Sequence, residues 1–163
     1  MSENATTRPH RPRQDHHVGL PFVLESRDVL RGYPVRCRVA TDAARSLVIV
    51  TVAAWPESGD RQVELALDHG QARFAAGRLR SRTDGCAVAS HHGAVTAALS
   101  ISTNRWRHAP VTVLDVVVTG SPVTVVLADS RVDELGEALR LAADRLLPHR
   151  PQPVERTPLA ATG

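Results

Sequence analysis

The stretch from Val111 to Leu147, VTVLDVVVTGSPVTVVLADSRVDELGEALRLAADRLL, decides how the chain is read. Its first half holds two Val-rich runs, Val111 to Thr119 and Pro122 to Ala128, on either side of Gly120-Ser121. β-Branched residues suit a pleated, half-covered surface, and a small pair between two such runs is hairpin composition. After Ala128 the period changes. Val132, Leu135, Leu139, Ala142 and Leu146 follow a three–four spacing that lines one side of an α-helix. Ser130 is placed to cap that helix, and Asp133 and Glu134 sit in its first turn, where the helix dipole favours acids. Pro148 ends it.

Upstream the signal is mostly period two. Val18 to Leu24 is a first strand. Tyr33 to Ala40 alternates Tyr33, Val35, Cys37 and Val39 against Arg36 and Arg38, the pattern of a strand with one buried face. Ser46 to Trp55 is a continuous Val/Leu/Ile run, expected to be central and covered on both faces. Trp55 to Asp60 has turn composition, and Gln62 to Asp68 alternates again. His69 to Arg82 reads two ways. As the return arm of a hairpin, it turns at His69-Gly70 and lines one face with Ala72, Phe74 and Ala76; as a short helix, it puts Phe74 and Arg78 together and is weakened at Gly77. The strand is the expectation. Further strands follow near Cys86 to Ser90 and Ala94 to Ser102.

Eight or nine strands and one long helix define an α+β fold, an antiparallel β-rich domain with one amphipathic C-terminal helix packed on the sheet. No internal repeat is visible. The single domain is expected over residues 18–147. Residues 1–17 form a disordered N-terminal arm and residues 148–163 a disordered Pro-rich C-terminal tail in this reading.

Composition narrows function. All 20 basic residues are Arg, with just two Ile, the signature of GC-rich coding in a high-GC bacterium. The sequence pI is near 9.6, yet residues 18–147 hold 15 Arg against 14 acids. So balanced a core is not the footprint of a protein held to phosphates by charge alone. No apolar run approaches the eighteen or so residues that span a bilayer, and no secretory segment precedes Cys37 and Cys86. A cytoplasmic protein with two free thiols packed as small hydrophobes, and no membrane partner, is expected.

Chemical motifs are sparse. No HExxH, CxxC, Gly-x-Ser-x-Gly or phosphate-binding Gly-rich loop occurs. A composite metal site from His69, Cys86, His91 and His92 is weighed against solvated turn histidines, and the latter is preferred. Asp115 interrupts a Val-rich strand and is read as an edge or solvent-facing carboxylate. No catalytic, cofactor-binding or metal residues are assigned.

Arg73 to Arg107 stands out, with six Arg against one acid, Asp84, while residues 108–147 carry three Arg against six acids. Arg105-Trp106-Arg107 sets an indole between two guanidinium groups. Arg78, Arg80, Arg82, Arg105, Trp106 and Arg107 are therefore the candidate surface for a partner protein or nucleic acid.

In layout the chain is similar in outline to the small SsgA-like regulators of sporulation and division in filamentous high-GC bacteria. Val63 to Leu79, VELALDHGQARFAAGRL, shares Phe74, Gly77 and Leu79 with that family's strand-to-helix segment, though not its Arg-Asp-Leu-Leu opening. The last helix, SRVDELGEALRLAADRL, is the nearest match. The resemblance implies a small regulator in bacterial development or cell division, and no site residue is carried over from it. The expected function is a non-enzymatic cytoplasmic regulatory or adaptor protein acting by protein–protein contact or self-association. A nucleic-acid-binding regulator using the Arg/Trp surface is the alternative.

Overall fold

The computed structural model describes residues 19–91, 95–119 and 121–147, so both expected terminal arms lie outside the described residues. The chain runs β1 (Phe22–Arg27), β2 (Pro34–Asp42), β3 (Leu47–Ala54), β4 (Arg61–Leu67), α1 (His69–Ser81), β5 (Gly85–His91), β6 (Val95–Trp106), β7 (Ala109–Val118), β8 (Ser121–Ala128) and α2 (Asp129–Arg145). Strands β1-β2-β3-β4 form one antiparallel sheet and β5-β6-β7-β8 a second. The α+β class and the C-terminal helix packed on a sheet are as expected. The single sheet is two, and a second helix stands where a strand was expected.

That helix, α1, is set by its ends. Asp68 Oδ1 accepts from the Gln71 backbone N–H at 2.8 Å, and Gln71 Oε1 accepts from the Asp68 N–H at 2.8 Å. This reciprocal box satisfies two donors that a helix start would otherwise orphan. Ala72, Ala75, Ala76 and Leu79 make the buried stripe, whereas Phe74 points outward. At the other end Arg82 turns left-handed, with φ 54°, and its N–H returns to the carbonyls of Arg78 and Leu79. Helix α2 starts one residue before Ser130, and no side chain caps it; Asp129 occupies the first turn.

In the first sheet Val35, Cys37 and Val39 of β2 are buried as expected, in cross-strand rows such as Leu24–Cys37–Val52–Val63, while Tyr33, just before the strand, is half-buried. Strand β3 is internal to its sheet, but only one of its faces is fully buried: Leu47, Ile49 and Thr51 are half-exposed. The second sheet buries the corresponding row Ala87–Leu99–Val116–Val123.

Four strands followed by a helix therefore occur twice. Shifting β4–α1 by sixty positions lays Val63, Leu65, Leu67, Ala72, Ala75, Ala76 and Leu79 on Val123, Val125, Leu127, Val132, Leu135, Gly136 and Leu139, and every one of these is buried. The halves are interlocked. Helix α2 packs mainly over β2 and β1 of the first sheet, α1 packs over β5 and β6 of the second, and β4 touches β5, β7 and β8. The helices meet face to face where a Cβ on Gly136 would come within 3.3 Å of Leu79 Cβ and 3.6 Å of the Ala76 carbonyl, so a small residue sets their separation.

One buried carboxylate ties the first sheet to the second. The Asp28 side chain, in the β1–β2 turn, is fully shielded from solvent. Its Oδ1 accepts from the N–H groups of Leu30 at 3.0 Å and Arg31 at 2.7 Å, and its Oδ2 accepts from Val126 N–H of β8 at 2.9 Å. Val29 N–H donates to Val126 O at 2.9 Å, and Arg31 Nη1 lies 3.5 Å from Asp28 Oδ2. Replacing Asp28 by Ala leaves three N–H groups without an acceptor, each costing about 1–3 kcal/mol when buried. The Val126 N–H is buried and those of Leu30 and Arg31 are partly so, and Asp28→Ala is expected to lower unfolding stability by about 2–3 kcal/mol. Urea denaturation checks this, and a loss under about 1 kcal/mol would remove the tie from the account.

Candidate interaction site

The β6–β7 hairpin reaches past its neighbours. Strand β5 stops pairing with β6 at Gly85–Ile101, and β8 stops pairing with β7 at Ala128–Val111. Beyond them Arg105 pairs with Pro110 and Trp106 with Ala109, closing on the two-residue loop Arg107-His108. At about 3.3 Å per residue, this ribbon projects roughly 10 Å from the sheet. Every residue from Thr103 to Pro110 is exposed, and Trp106 keeps 38% of its surface. The expected strand end at Ser102 falls four residues short of the observed one.

The tip is held against local preference. Arg107 and His108 both have left-handed φ, 48° and 68°. Two-residue hairpin loops of this hand favour Asn-Gly, because a Cβ crowds the backbone there. The base of the ribbon is pinned instead, with Asp84 Oδ1 accepting from Thr103 N–H at 2.8 Å and from Thr103 Oγ1 at 3.1 Å. Arg107 sits over the Trp106 ring, with Cζ 5.7 Å from the centroid. Residues 103–110 contain no acid, and among the described residues no carboxylate pairs with the guanidinium of Arg105 or Arg107.

The other three candidate arginines do not join this tip. Arg82 is part of the scaffold: its guanidinium bonds Asp129 Oδ1 and the Leu79 carbonyl, with Asp129 O at 3.1 Å and Asp133 Oδ1 at 3.0 Å. The bond to Asp129, helped by Asp133, raises its pKa. It joins the end of α1 to the start of α2. Arg78 lies over the Phe74 ring at 4.9 Å and reaches Thr83 Oγ1 at 3.3 Å. Arg80 lines a separate cleft of about 330 Å³ between α1 and α2, with Arg73, Arg140, Asp133 and Glu137 around a floor of Ala76, Gly77 and Gly136. Acids balance that cleft. Arg140 forks onto Glu137 at 2.6 and 2.9 Å and reaches Asp144 at 2.7 Å, and Arg73 reaches Asp144 at 2.9 Å. The Arg140 bond holds Glu137 below its usual pKa, and Arg80 adds to this.

The remaining sequence candidates fall into place individually. Asp115 lies on β7, inside the second sheet rather than at an edge, half-buried and bonded by the Thr124 hydroxyl. Cys37 and Cys86 are both free thiols, but only Cys37 is a buried hydrophobe; Cys86 is exposed, with Sγ 3.5 Å from Ser100 Oγ. His92 lies outside the described residues, and among those residues no group of three or more His, Cys, Asp or Glu is arranged to hold a metal ion. No helix among the described residues is long and apolar enough to cross a membrane. Neither a protein-family model nor a curated protein sequence matches the chain.

Replacing Arg107-His108 with Asn-Gly is expected to raise stability by about 1–2 kcal/mol, because the left-handed positions then lose their steric cost. An unchanged or lower melting temperature would count against strain at the tip. The thiols should separate by reactivity. Burial pushes Cys37 up to about 12 from an ordinary value near 9, so between those values the unfolded chain releases a proton that the folded chain holds. Stability should therefore fall as pH rises through that window, with no contribution from Cys37 at neutral pH. A thiol reagent near neutral pH should titrate one cysteine in the native protein and two in urea; two fast thiols in the native state would contradict the burial.

Proposed function

We propose that this protein is a non-enzymatic regulatory or adaptor protein that works by contact with another protein, and that the β6–β7 ribbon is its contact element. The observation that carries this reading is the tip itself. Trp106 stands exposed between Arg105 and Arg107 on a projecting ribbon with no internal counter-charge. Tryptophan and arginine are the side chains that most often anchor protein interfaces, since each buries a large area and makes directional bonds. The unpaired guanidinium groups suit carboxylates on the partner. The resemblance to SsgA-like regulators suggests cytoplasmic control of bacterial development or division as the setting.

A second reading has its own support. The same indole between two cations suits base stacking, which makes nucleic acid the alternative partner. Protein is preferred because tracking a phosphate backbone takes several free cations along one groove. Here Arg82 is bonded to Asp129 and Asp133, and Arg80 shares a cleft with two carboxylates.

A photo-cross-linker at position 106 should trap a protein in cells of the source organism. Arg105→Ala with Arg107→Ala should abolish the adduct, while Arg38→Ala on the first sheet leaves it. The purified protein should pass a heparin or DNA column at low salt. Salt-sensitive retention that disappears in the double variant would transfer the site to nucleic acid, and an adduct insensitive to both arginines would remove the ribbon as the contact element.

A further inference from the structure

The two sheets have four edges, β1, β4, β5 and β8, and three are guarded. An unguarded edge exposes a row of N–H and C=O groups ready to pair with another strand. On β8, Val126 is bonded on its free side by Asp28 Oδ2 and Val29 N–H, and the Thr124 carbonyl takes Arg31 Nη1 at 3.4 Å and the Tyr33 hydroxyl at 3.5 Å. Pro122 offers that edge no N–H at all. Strand β1 carries Glu25 and Arg27, and β4 carries Arg61 and Glu64.

Strand β5 has none of these protections along its length; Arg78 and Phe74 of α1 lie against its first residue, Gly85, alone. Its seven residues, GCAVASH, include no Asp, Glu, Arg, Lys or Pro. Among the described residues its backbone bonds only to β6. Beside it lies a shallow hollow of about 270 Å³ lined by Gly70, Gln71, Phe74, Cys86 and Ala87, where Phe74 keeps 40% of its surface exposed.

We infer that β5 is a pairing edge and that its occupant is the β5 strand of a second copy of this chain. A foreign extended peptide would need side-chain pockets along the edge to be told from others. Apart from Val88 and His91 its residues are Gly, Ala, Ser and Cys, which supply little of that discrimination. A two-fold pair of identical strands needs none, since one patch meets itself, and an uncharged strand meets itself without like charges opposed. The product is an eight-stranded sheet running β8-β7-β6-β5 and back out through the second copy. Antiparallel pairing sends the two β6–β7 ribbons to opposite ends. If the ribbon is the contact element proposed above, such a dimer bridges two partners; the pairing itself does not rest on that role.

Sedimentation equilibrium should show a concentration-dependent dimer, and hydrogen exchange at residues 85–91 should slow as concentration rises. Cys86→Lys puts a charge on the edge at an exposed position. It should weaken dimerisation about tenfold or more with an unchanged circular dichroism and, at concentrations where both proteins are monomeric, an unchanged melting temperature. Trp106→Ala should dimerise like the wild type, which separates this interface from the ribbon. A strictly monomeric wild type overturns the inference and leaves the ribbon reading standing. So does a dimer that survives Cys86→Lys without concentration-dependent protection of β5. Dimer loss in Trp106→Ala alone would make the ribbon the self-contact and overturn both.

Discussion

The Asp28 carboxylate is the constraint on which the rest of the structure depends. It sits in a turn of the first sheet, yet one oxygen satisfies a backbone donor in the last strand of the second. A carboxylate removed from water is tolerated where several donors surround it, and here the backbone supplies three. The tie fixes where the β1–β2 turn lies, closes the β8 edge and keeps two otherwise similar sheets in one relative position. Arg82 makes the matching tie on the helix side. From the left-handed end of α1 it holds the N-terminal end of α2, where Asp129 and Asp133 face it.

Much of the strand architecture was legible because alternation is a strong signal when bulky and charged residues take turns, as in Val35-Arg36-Cys37-Arg38-Val39. The helix α1 was hidden by its own composition. Its buried stripe is three alanines and one leucine, while its one large apolar residue, Phe74, faces out. Alanine carries little hydrophobic contrast, and Ala72-Phe74-Ala76 imitates strand alternation. The stronger signal was Asp68-His69-Gly70-Gln71, an acid and an amide three residues apart ahead of a three–four stripe. The duplication was hidden more completely. Between residues 61–81 and 121–141, aligned at a sixty-residue shift, only Val63, Leu67, Leu79 and Arg80 meet an identical residue. Burial is repeated where identity is not, because a core constrains size and polarity more tightly than it constrains residue type.

The site was half legible. The Arg-Trp-Arg cluster could be found by composition, but its place at the tip of a projecting ribbon could not. That depends on strand pairing continuing through Thr103 to Trp106, where no buried alternation marks it. Nor could sequence separate Arg82 from its neighbours. Its carboxylate partners are 47 and 51 residues away, and only the packing of one helix on the other brings them together. Six arginines that formed one cluster on paper serve at least three purposes: a tip, a ring contact and cleft wall on α1, and an internal tie.

The crossed arrangement of the helices has a consequence for how the chain comes to be folded. Val35, Cys37 and Val39 lie on β2, the strand that α2 covers most, and the last residue of α2 is Arg145. The first half therefore lacks its lid until everything from β3 to β8 has been made. Contacts this distant in sequence require a large loop to close before any burial rewards it, which slows folding and lengthens the life of partly open species. On the ribosome the first sheet would emerge with its apolar face bare, while the helix that shelters it is still to be synthesised. Molecular chaperones would find their natural client at that stage.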